Sequence, residues 1–245
     1  MDNSNSKLYC VGCGPGDPDL LTLKAINIIK NAEVIYTPTA RENKPSVALS
    51  IVEKFLTKKT EIRQLVFPMV KDYEKLREYW KTNAKEIADA VRNGKKAVYL
   101  TVGDPSLYST WIYIHKEMCK NYRDIEIEIV PGITSIFSFS AEIKTPVGEG
   151  EEIIGIIPAC YNLDRLKIAA ECCDTLVFLK DGRYFNNVID ILMKSSFPED
   201  SDVFIAEDVS TDNETLQKRK LVDVAKNKNE NNDKYFSIMI AKKKK

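Results

Sequence analysis

The sequence is poor in the side chains that most enzymes use for acid–base and nucleophilic catalysis near neutral pH. It holds one histidine, His115, in 245 residues. Serine or cysteine nucleophiles that depend on a histidine base therefore have little support. His115 lies within a predicted helix over residues 107–119, and we interpret it as structural. A G-x-x-x-x-G-K-[ST] stretch is also missing, which argues against a P-loop nucleotide hydrolase.

Long apolar runs and an excess of one charge are missing as well. The apolar runs fall far below the roughly 18 residues of a membrane helix, so no membrane partner is expected. Residues 1–6 are polar and lack the apolar centre of a secretion signal, which favours a cytoplasmic protein. The 36 basic residues balance the 36 acidic residues, and no nucleic-acid partner is predicted from charge.

Cysteine is present six times, but not in a pattern that indicates a metal site. Cys10 and Cys13 form one C-x-x-C pair, and a second pair at zinc spacing does not exist. The sequence therefore predicts no metal and reduced thiols, as in cytosolic proteins.

The most informative segment is the first turn, residues 12–18, which follows an apolar strand and precedes a predicted helix over 19–26. Its glycines have the spacing G-x-G-x-G, whereas the dinucleotide fingerprint is G-x-G-x-x-G. Pro15 and Pro18 also remove N–H donors that a phosphate would need. A turn that presents carbonyl oxygens and a rigid wall fits better. A simple tight turn uses the same residue types and is the alternative.

Predicted strands alternate with predicted helices along the chain, which is typical of parallel α/β architecture. A second turn, residues 102–106, again joins a strand to a helix. Ligands in such sheets bind at the carboxyl ends of strands, so both turns are expected to share one ligand. The pattern is interrupted at residues 131–132, which predicts an α/β domain over 1–130 and another over 131–245.

The end of the chain is predicted to form a closing hairpin. Residues 214–224 and 235–241 have strand-like patterns and are joined by a polar loop. The lysines at 242–245 are expected to be a solvated tail.

Carboxylates follow several predicted strands, at Asp17, Asp104, Asp181, Glu207 and Asp208. Each also suits a turn or a helix cap, and Asp104 suits an Asx turn. No spacing identifies the carboxylate pair of a glycosidase. A chain with glycine turns and little acid–base equipment suits group transfer between two bound molecules, because orientation alone can supply roughly 7–11 kcal/mol.

Four ordered segments, residues 12–25, 103–105, 130–135 and 175–180, closely resemble the motifs of the tetrapyrrole (corrin/porphyrin) methylases. The agreement in order and spacing extends over essentially the whole chain. The resemblance implies the class III S-adenosylmethionine-dependent fold: two α/β domains with mostly parallel sheets, the methyl donor in a cleft between them, and a homodimer.

The resemblance also assigns residues to S-adenosylmethionine, position by position. These are Pro15, Val102, Gly103, Asp104, Leu107, Thr134, Ser135, Lys180 and Val209. Two of them depart from the family pattern. Lys180 stands where methionine is frequent, which leaves a backbone contact, and Val209 replaces the usual small residues.

Residues 103–110 and 180–183 are similar to the branch that methylates carbon 20 of precorrin-2 or cobalt-factor II (cobalt-sirohydrochlorin) in cobalamin biosynthesis. Methylases of uroporphyrinogen III, other precorrins, diphthamide precursor or ribosomal RNA are alternatives, as is a binding module without activity. Arg41, Lys44 and Arg183 are candidates for the substrate carboxylates or are ordinary solvated charges. The sequence assigns no catalytic base and leaves open whether the tetrapyrrole contains cobalt.

Overall fold

The structure is a computed structural model that describes residues 7–41, 44–70, 72–158, 162–179, 184–207, 209–211, 213–227 and 238–244. The chain divides into two compact units, Met1–Thr134 and Ser135–Lys245. Each unit is built around one five-stranded sheet with helices, as the alternation of strand and helix patterns predicts.

Unit 1 alternates strands and helices. Its strands are β1 (Lys7–Gly12), β2 (Val34–Thr39), β3 (Glu61–Val66), β4 (Ala97–Thr101) and β5 (Glu126–Val130). Its helices are α1 (Leu23–Lys30), α2 (Val47–Val52), α3 (Tyr73–Arg92) and α4 (Trp111–Asn121), with short 3₁₀ helices at Pro18–Leu20 and Glu53–Phe55. Thr22, Ser46 and Asp72 cap the first three α-helices, because each side chain accepts a hydrogen bond from a free N–H of the first turn.

The sheet of unit 1 is entirely parallel, in the order β3-β2-β4-β1-β5. Its central strands are buried on both faces, which explains their nearly continuous apolar sequences. Tyr36 and Tyr99 pack on the face that also buries Trp80 of α3 and Trp111 of α4. The opposite face buries residues of α1 and α2. The sheet therefore holds the carboxyl ends of β4, β1 and β5 side by side.

Unit 2 contains a mixed sheet in the order β6-β7-β10-β8-β9. The strands are β6 (Ile154–Pro158), β7 (Thr175–Leu179), β8 (Asp202–Glu207), β9 (Thr215–Lys220) and β10 (Ile238–Lys242). The helices are α5 (Ser135–Glu142), α6 (Leu163–Cys172), α7 (Phe185–Met193) and α8 (Leu221–Lys226). β6 and β7 are parallel, whereas β10 lies antiparallel between β7 and β8.

The predicted closing hairpin is wrong. β9 pairs with β8, and β10 is inserted in the middle of the sheet, so β9 and β10 are not neighbours. The predicted strand over 214–224 ends at Lys220, where α8 begins. The predicted solvated tail is wrong at Lys242, which ends β10 and lies 2.8 Å from Glu152. Lys244 is solvated, with a side chain 59% exposed that lies 2.6 Å from Asp200.

Two predicted helices begin later than the sequence indicates. In place of the helix over 19–26, a 3₁₀ turn ends at Leu20 and α1 begins at Leu23. In place of the helix over 107–119, α4 begins at Trp111. The segment before it contains Tyr108 with a φ of +48°, a left-handed conformation that an α-helix does not tolerate. Among the described residues, none of the helices combines the length and apolarity that a bilayer crossing requires.

The central position of β10 gives a stability prediction. Met239 is buried in that strand, so the change Met239→Ala should lower the free energy of unfolding by about 2–5 kcal/mol. Leu216 in the edge strand β9 is 41% exposed, and Leu216→Ala should cost less than about 1 kcal/mol. Denaturant titration of both variants measures the difference, and equal losses would contradict the central placement of β10.

Candidate functional site

The candidate site is formed by three chain turns that leave three neighbouring strands. The first turn follows β1 and the second follows β4. A third turn, residues 131–134, follows β5. Because β1 lies between β4 and β5 in a parallel sheet, all three turns leave the same edge. Segments far apart in the sequence thus meet at the carboxyl ends of the strands, where ligands of such sheets bind.

The three turns meet through glycine backbone. A Cβ atom added to Gly12 would lie 2.6 Å from the carbonyl oxygen of Gly103 and 2.7 Å from the nitrogen of Gly132. A Cβ atom on Gly132 would lie 2.3 Å from the same oxygen. Real Cβ atoms do not approach backbone so closely, so both positions require glycine for space. The requirement at Gly103 is different: its φ is +71° and no atom lies within 4 Å of an added Cβ.

Hydrogen bonds fix the first turn to the second. The N–H of Gly103 donates to the oxygen of Gly14 at 2.7 Å, and the N–H of Gly14 donates to the oxygen of Gly103 at 3.3 Å. The N–H of Cys13 donates to the oxygen of Thr101 at 2.8 Å. The carbonyl groups of Gly14 and Gly103 therefore accept from each other's turn. The sequence predicts that the first turn presents carbonyl oxygens. In the structure, the oxygens of Gly14 and Gly103 accept hydrogen bonds from N–H groups of the protein.

The carboxylate of Asp104 fixes the second turn to the third. Its Oδ1 accepts from the N–H of Ser106 at 2.8 Å, which is the predicted Asx turn. Its Oδ2 accepts from the N–H of Gly132 at 2.9 Å. Such charge-assisted bonds are among the stronger hydrogen bonds in proteins. In unit 1, Asp104 therefore positions two of the three turns, a role that its place in the sequence did not indicate.

Buried hydroxyl groups attach residues 109–110, which follow the second turn, to β4. Thr101 Oγ1 lies 2.8 Å from Ser109 Oγ, which also accepts from the N–H of Trp111 at 3.1 Å. Tyr99 Oη lies 2.8 Å from Thr110 Oγ1. Sequence reasoning missed these contacts, although hydroxyl residues just before a helix are a known signal for side-chain capping. They hold residues 104–110 in a fixed loop and delay the start of α4.

The structure places the remaining predicted residues of unit 1 around these turns. Pro15 is buried in the first turn, Val102 is exposed, and Leu107 is partly buried beyond the Asx turn. Thr134 follows Gly132, and its Oγ1 is buried without a hydrogen-bond partner among the described residues. An unpaired buried hydroxyl is costly. Thr134 therefore keeps an unused hydrogen-bonding group at the third turn.

In unit 2, Ser135 is the first residue of α5, and Val209 is buried after the end of β8. Ser138 Oγ of the same helix lies 2.5 Å from Ser210 Oγ, which joins α5 to the segment that contains Val209. Four predicted residues, Lys180, Asp181, Arg183 and Asp208, lie outside the described residues.

The thiols beneath the first turn have the electrostatics of core residues. Burial raises the pKa of Cys13 to about 12 and raises the pKa of Cys10 well above its usual value. Thiols held in the neutral form are poor nucleophiles and poor metal ligands. The described part of the chain contains no group of three or more His, Cys, Asp or Glu side chains that could hold a metal ion.

Two other predictions concern groups at the surface. Asp17 is exposed, and its Oδ1 accepts from the N–H of Asp19 at 2.8 Å, so it shapes the first turn. Arg41 and Lys44 are exposed after β2, the neighbour of β4. They remain candidates for contacts with an acidic substrate.

This arrangement of motifs matches a known family. The model of the tetrapyrrole (corrin/porphyrin) methylases matches residues 7–225. The chain belongs to this family. Tetrapyrrole methylases that resemble it include a probable cobalt-precorrin-2 C(20)-methyltransferase of Methanocaldococcus jannaschii, 37% identical over 74% of both chains. The cobalt-precorrin-2 C(20)-methyltransferase of Salmonella typhimurium is 32% identical over 80% of this chain and 81% of the relative.

A solved structure supports the same fold. The uroporphyrin-III C-methyltransferase of Thermus thermophilus, complexed with S-adenosylhomocysteine, aligns with a TM-score of 0.69 at 20% identity. The alignment covers 96% of this chain and 97% of that protein. At this identity the likeness shows the fold, which is the predicted class III methyltransferase fold.

The close approach of the glycines gives a second prediction. Gly132→Ala forces a methyl group against the backbone of the second turn, so the free energy of unfolding should fall by about 3 kcal/mol. Affinity for S-adenosylhomocysteine, measured by calorimetry, should fall at least tenfold. The control is Gly94→Ala, where φ is +80° and the added Cβ meets nothing within 4 Å. That variant should lose only about 1–2 kcal/mol and keep its affinity. Full affinity in Gly132→Ala would contradict the role of the contact.

The two bonds of Asp104 give a third prediction. Asp104→Ala leaves the N–H groups of Ser106 and Gly132 without their acceptor, and should cost about 2 kcal/mol of stability. Because the turns then lose their relative position, affinity for S-adenosylhomocysteine should fall about tenfold. Asp174 of unit 2, whose Oδ2 accepts from the N–H of Ile153 at 2.9 Å, is the matched control. Asp174→Ala should lose stability without loss of affinity, and equal affinity in both variants would reject the assignment.

Proposed function

We propose that this protein transfers the methyl group of S-adenosylmethionine to carbon 20 of a precorrin-2-type tetrapyrrole, as a step of cobalamin biosynthesis. The observation that carries the proposal is the backbone contact of the three motif turns in a chain of this family. The names of its relatives support the position of methylation, since two C(20)-methyltransferases are 37% and 32% identical to it.

The residues of the three turns suit S-adenosylmethionine. This donor supplies an electrophilic methyl group attached to a positively charged sulfur. Asp104 brings negative charge to the second turn, and Pro15 contributes no N–H to the first. Gly103 leaves open space beside its backbone, and Thr134 offers a buried hydroxyl without a partner. We infer that the donor is bound by residues of the turns, namely Pro15, Val102, Gly103, Asp104, Leu107 and Thr134. We propose the same role for Ser135, Lys180 and Val209.

The contribution of the chain to the reaction is mainly positional. The acceptor carbon is an electron-rich meso carbon and needs no activated nucleophile from the protein. Its electron pair forms the bond to the methyl carbon as the bond to sulfur breaks, S-adenosylhomocysteine leaves, and the proton on carbon 20 passes to water. The fixed turns orient the donor so that methyl transfer proceeds in line, which is the kind of advantage that orientation provides. The backbone bonds between Gly14 and Gly103, and the bond that the Asp104 carboxylate accepts from the N–H of Gly132, hold this geometry.

The acceptor carries many carboxylates, and basic side chains near the turns suit it. Arg41 and Lys44 follow the strand beside β4 and are exposed. We propose them as contacts of the acceptor, together with Arg183. The acceptor is metal-free precorrin-2 or its cobalt complex, and any cobalt belongs to the substrate.

We further propose that the protein acts as a cytoplasmic homodimer and binds no nucleic acid. Family membership supports the dimer, which light scattering on the purified protein tests. Balanced charge supports the lack of a nucleic-acid partner. The five described cysteines are all free thiols, which suits a reducing compartment.

The proposed function predicts a defined product. With methyl-labelled S-adenosylmethionine, the protein should add one methyl group to carbon 20, located by mass spectrometry and NMR. Precorrin-2 and its cobalt complex are assayed side by side, and the preferred acceptor decides whether the substrate contains the metal. Asp104→Ala, which should bind the donor about tenfold more weakly, should form the same product at a lower rate when S-adenosylmethionine is below saturation.

Methylation at carbon 11 or another position would assign the protein to a different branch of the family. Binding of S-adenosylhomocysteine without turnover of any tetrapyrrole would reject the proposed acceptor and leave the methyl donor supported.

A further inference from the structure

Tyr108 has a backbone conformation that its side chain disfavours. Its φ is +48°, in the left-handed region that glycine and asparagine tolerate and that is unusual for a bulky residue. Only two other non-glycine residues of the described chain share this conformation, Lys144 and Ser210. Such strain persists where the surrounding structure imposes it, and it is concentrated at functional sites.

The other two cases have an explanation inside the protein. Lys144 follows the end of α5, where its N–H donates to the oxygen of Ala141 and completes the helix terminus. Ser210 donates its N–H to Glu214 at 2.6 Å and pairs its hydroxyl with Ser138. Both residues thus gain hydrogen bonds from the left-handed conformation.

Tyr108 gains no such bond from its side chain. Within the described residues, its hydroxyl has no hydrogen-bond partner and its ring has no aromatic or cationic neighbour. The residue is 45% exposed. The protein therefore keeps a large, partly exposed aromatic residue where glycine or asparagine would be easier, and no side-chain hydrogen bond or ring pair within the described residues accounts for it.

The neighbours of Tyr108 impose its conformation. On one side, Asp104 accepts the N–H of Ser106 through its side chain and that of Leu107 through its backbone oxygen. On the other side, Ser109 is bound to Thr101 and Thr110 to Tyr99. These bonds hold both flanks of Tyr108 against the second turn, which also contains the residues proposed for the methyl donor.

We propose that the ring of Tyr108 packs on the flat face of the tetrapyrrole acceptor and determines acceptor affinity. This inference rests on the proposed function and deepens it. A conjugated macrocycle offers a broad apolar face, and tyrosine supplies a rigid aromatic surface at low entropic cost. Gly103, Asp104 and Leu107 of the same loop are partly buried, whereas Tyr108 and Val102 are exposed. The large exposed ring suits the tetrapyrrole, which is larger than S-adenosylmethionine.

The test separates the acceptor from the methyl donor. Tyr108→Asn removes the ring and inserts a residue that tolerates the left-handed conformation. Its thermal midpoint should equal or exceed that of the parent protein. The KM for the tetrapyrrole should rise at least tenfold, while the Kd for S-adenosylhomocysteine stays within twofold. Tyr108→Phe keeps the ring and should hold the tetrapyrrole KM within threefold of the parent value.

Lys144→Asn is the matched control, because it also introduces asparagine at a left-handed residue, with a φ of +52°, that has no role in the proposal. Its KM and Kd should not change. A normal tetrapyrrole KM in Tyr108→Asn would overturn the inference. An equal loss of S-adenosylhomocysteine affinity would assign Tyr108 to the donor instead, and a large KM increase in Tyr108→Phe would reject the ring as the contact.

The experiment gives a different result if the proposed function itself is wrong than if only this inference is wrong. In that case the parent protein itself turns over no tetrapyrrole, and the acceptor contact is rejected with it. If the parent protein is active and Tyr108→Asn behaves like it, the inference alone fails.

Discussion

The described part of unit 1 depends on one steric constraint: three backbone segments approach each other more closely than a Cβ atom permits. Gly12 and Gly132 both lie against the carbonyl group of Gly103. Any side chain at Gly12 or Gly132 would separate the three turns. The contact is possible because β4, β1 and β5 are adjacent and parallel, so that each delivers its turn to the same edge. The hydrogen bonds that Gly14 donates to Gly103 and that Gly132 donates to Asp104 then hold the turns in this close contact.

This constraint explains why the chain needs little acid–base equipment. A methyl group on a positive sulfur is already reactive toward an electron-rich carbon, and the remaining barrier is one of approach and alignment. Backbone turns are suited to alignment, because their position is set by the sheet and not by flexible side chains. The neutral, buried thiols of Cys10 and Cys13 agree with this interpretation, because they pack below the first turn and supply no nucleophile.

Much of the fold and part of the site could be predicted from the sequence. The alternation of strands and helices and the Asx turn at Asp104 depend on neighbouring residues, and the structure confirms both. Features that depend on distant residues were missed. The bond from Gly132 to Asp104 spans 28 positions, and the insertion of β10 between β7 and β8 depends on which strands pair. The late start of α4 results from hydroxyl contacts with β4, which no local pattern contains.

The second turn shows how structural and functional demands are divided among adjacent residues. Gly103, Asp104, Ser109 and Thr110 direct their groups toward the protein and make the loop rigid. Tyr108 lies between them and is 45% exposed. A flexible loop would let this residue relax to an ordinary conformation, so its strain depends on the rigidity of its neighbours. The same hydrogen bonds that align the turns therefore also present an aromatic surface beside them, and both effects follow from fixing one short loop to the end of one strand.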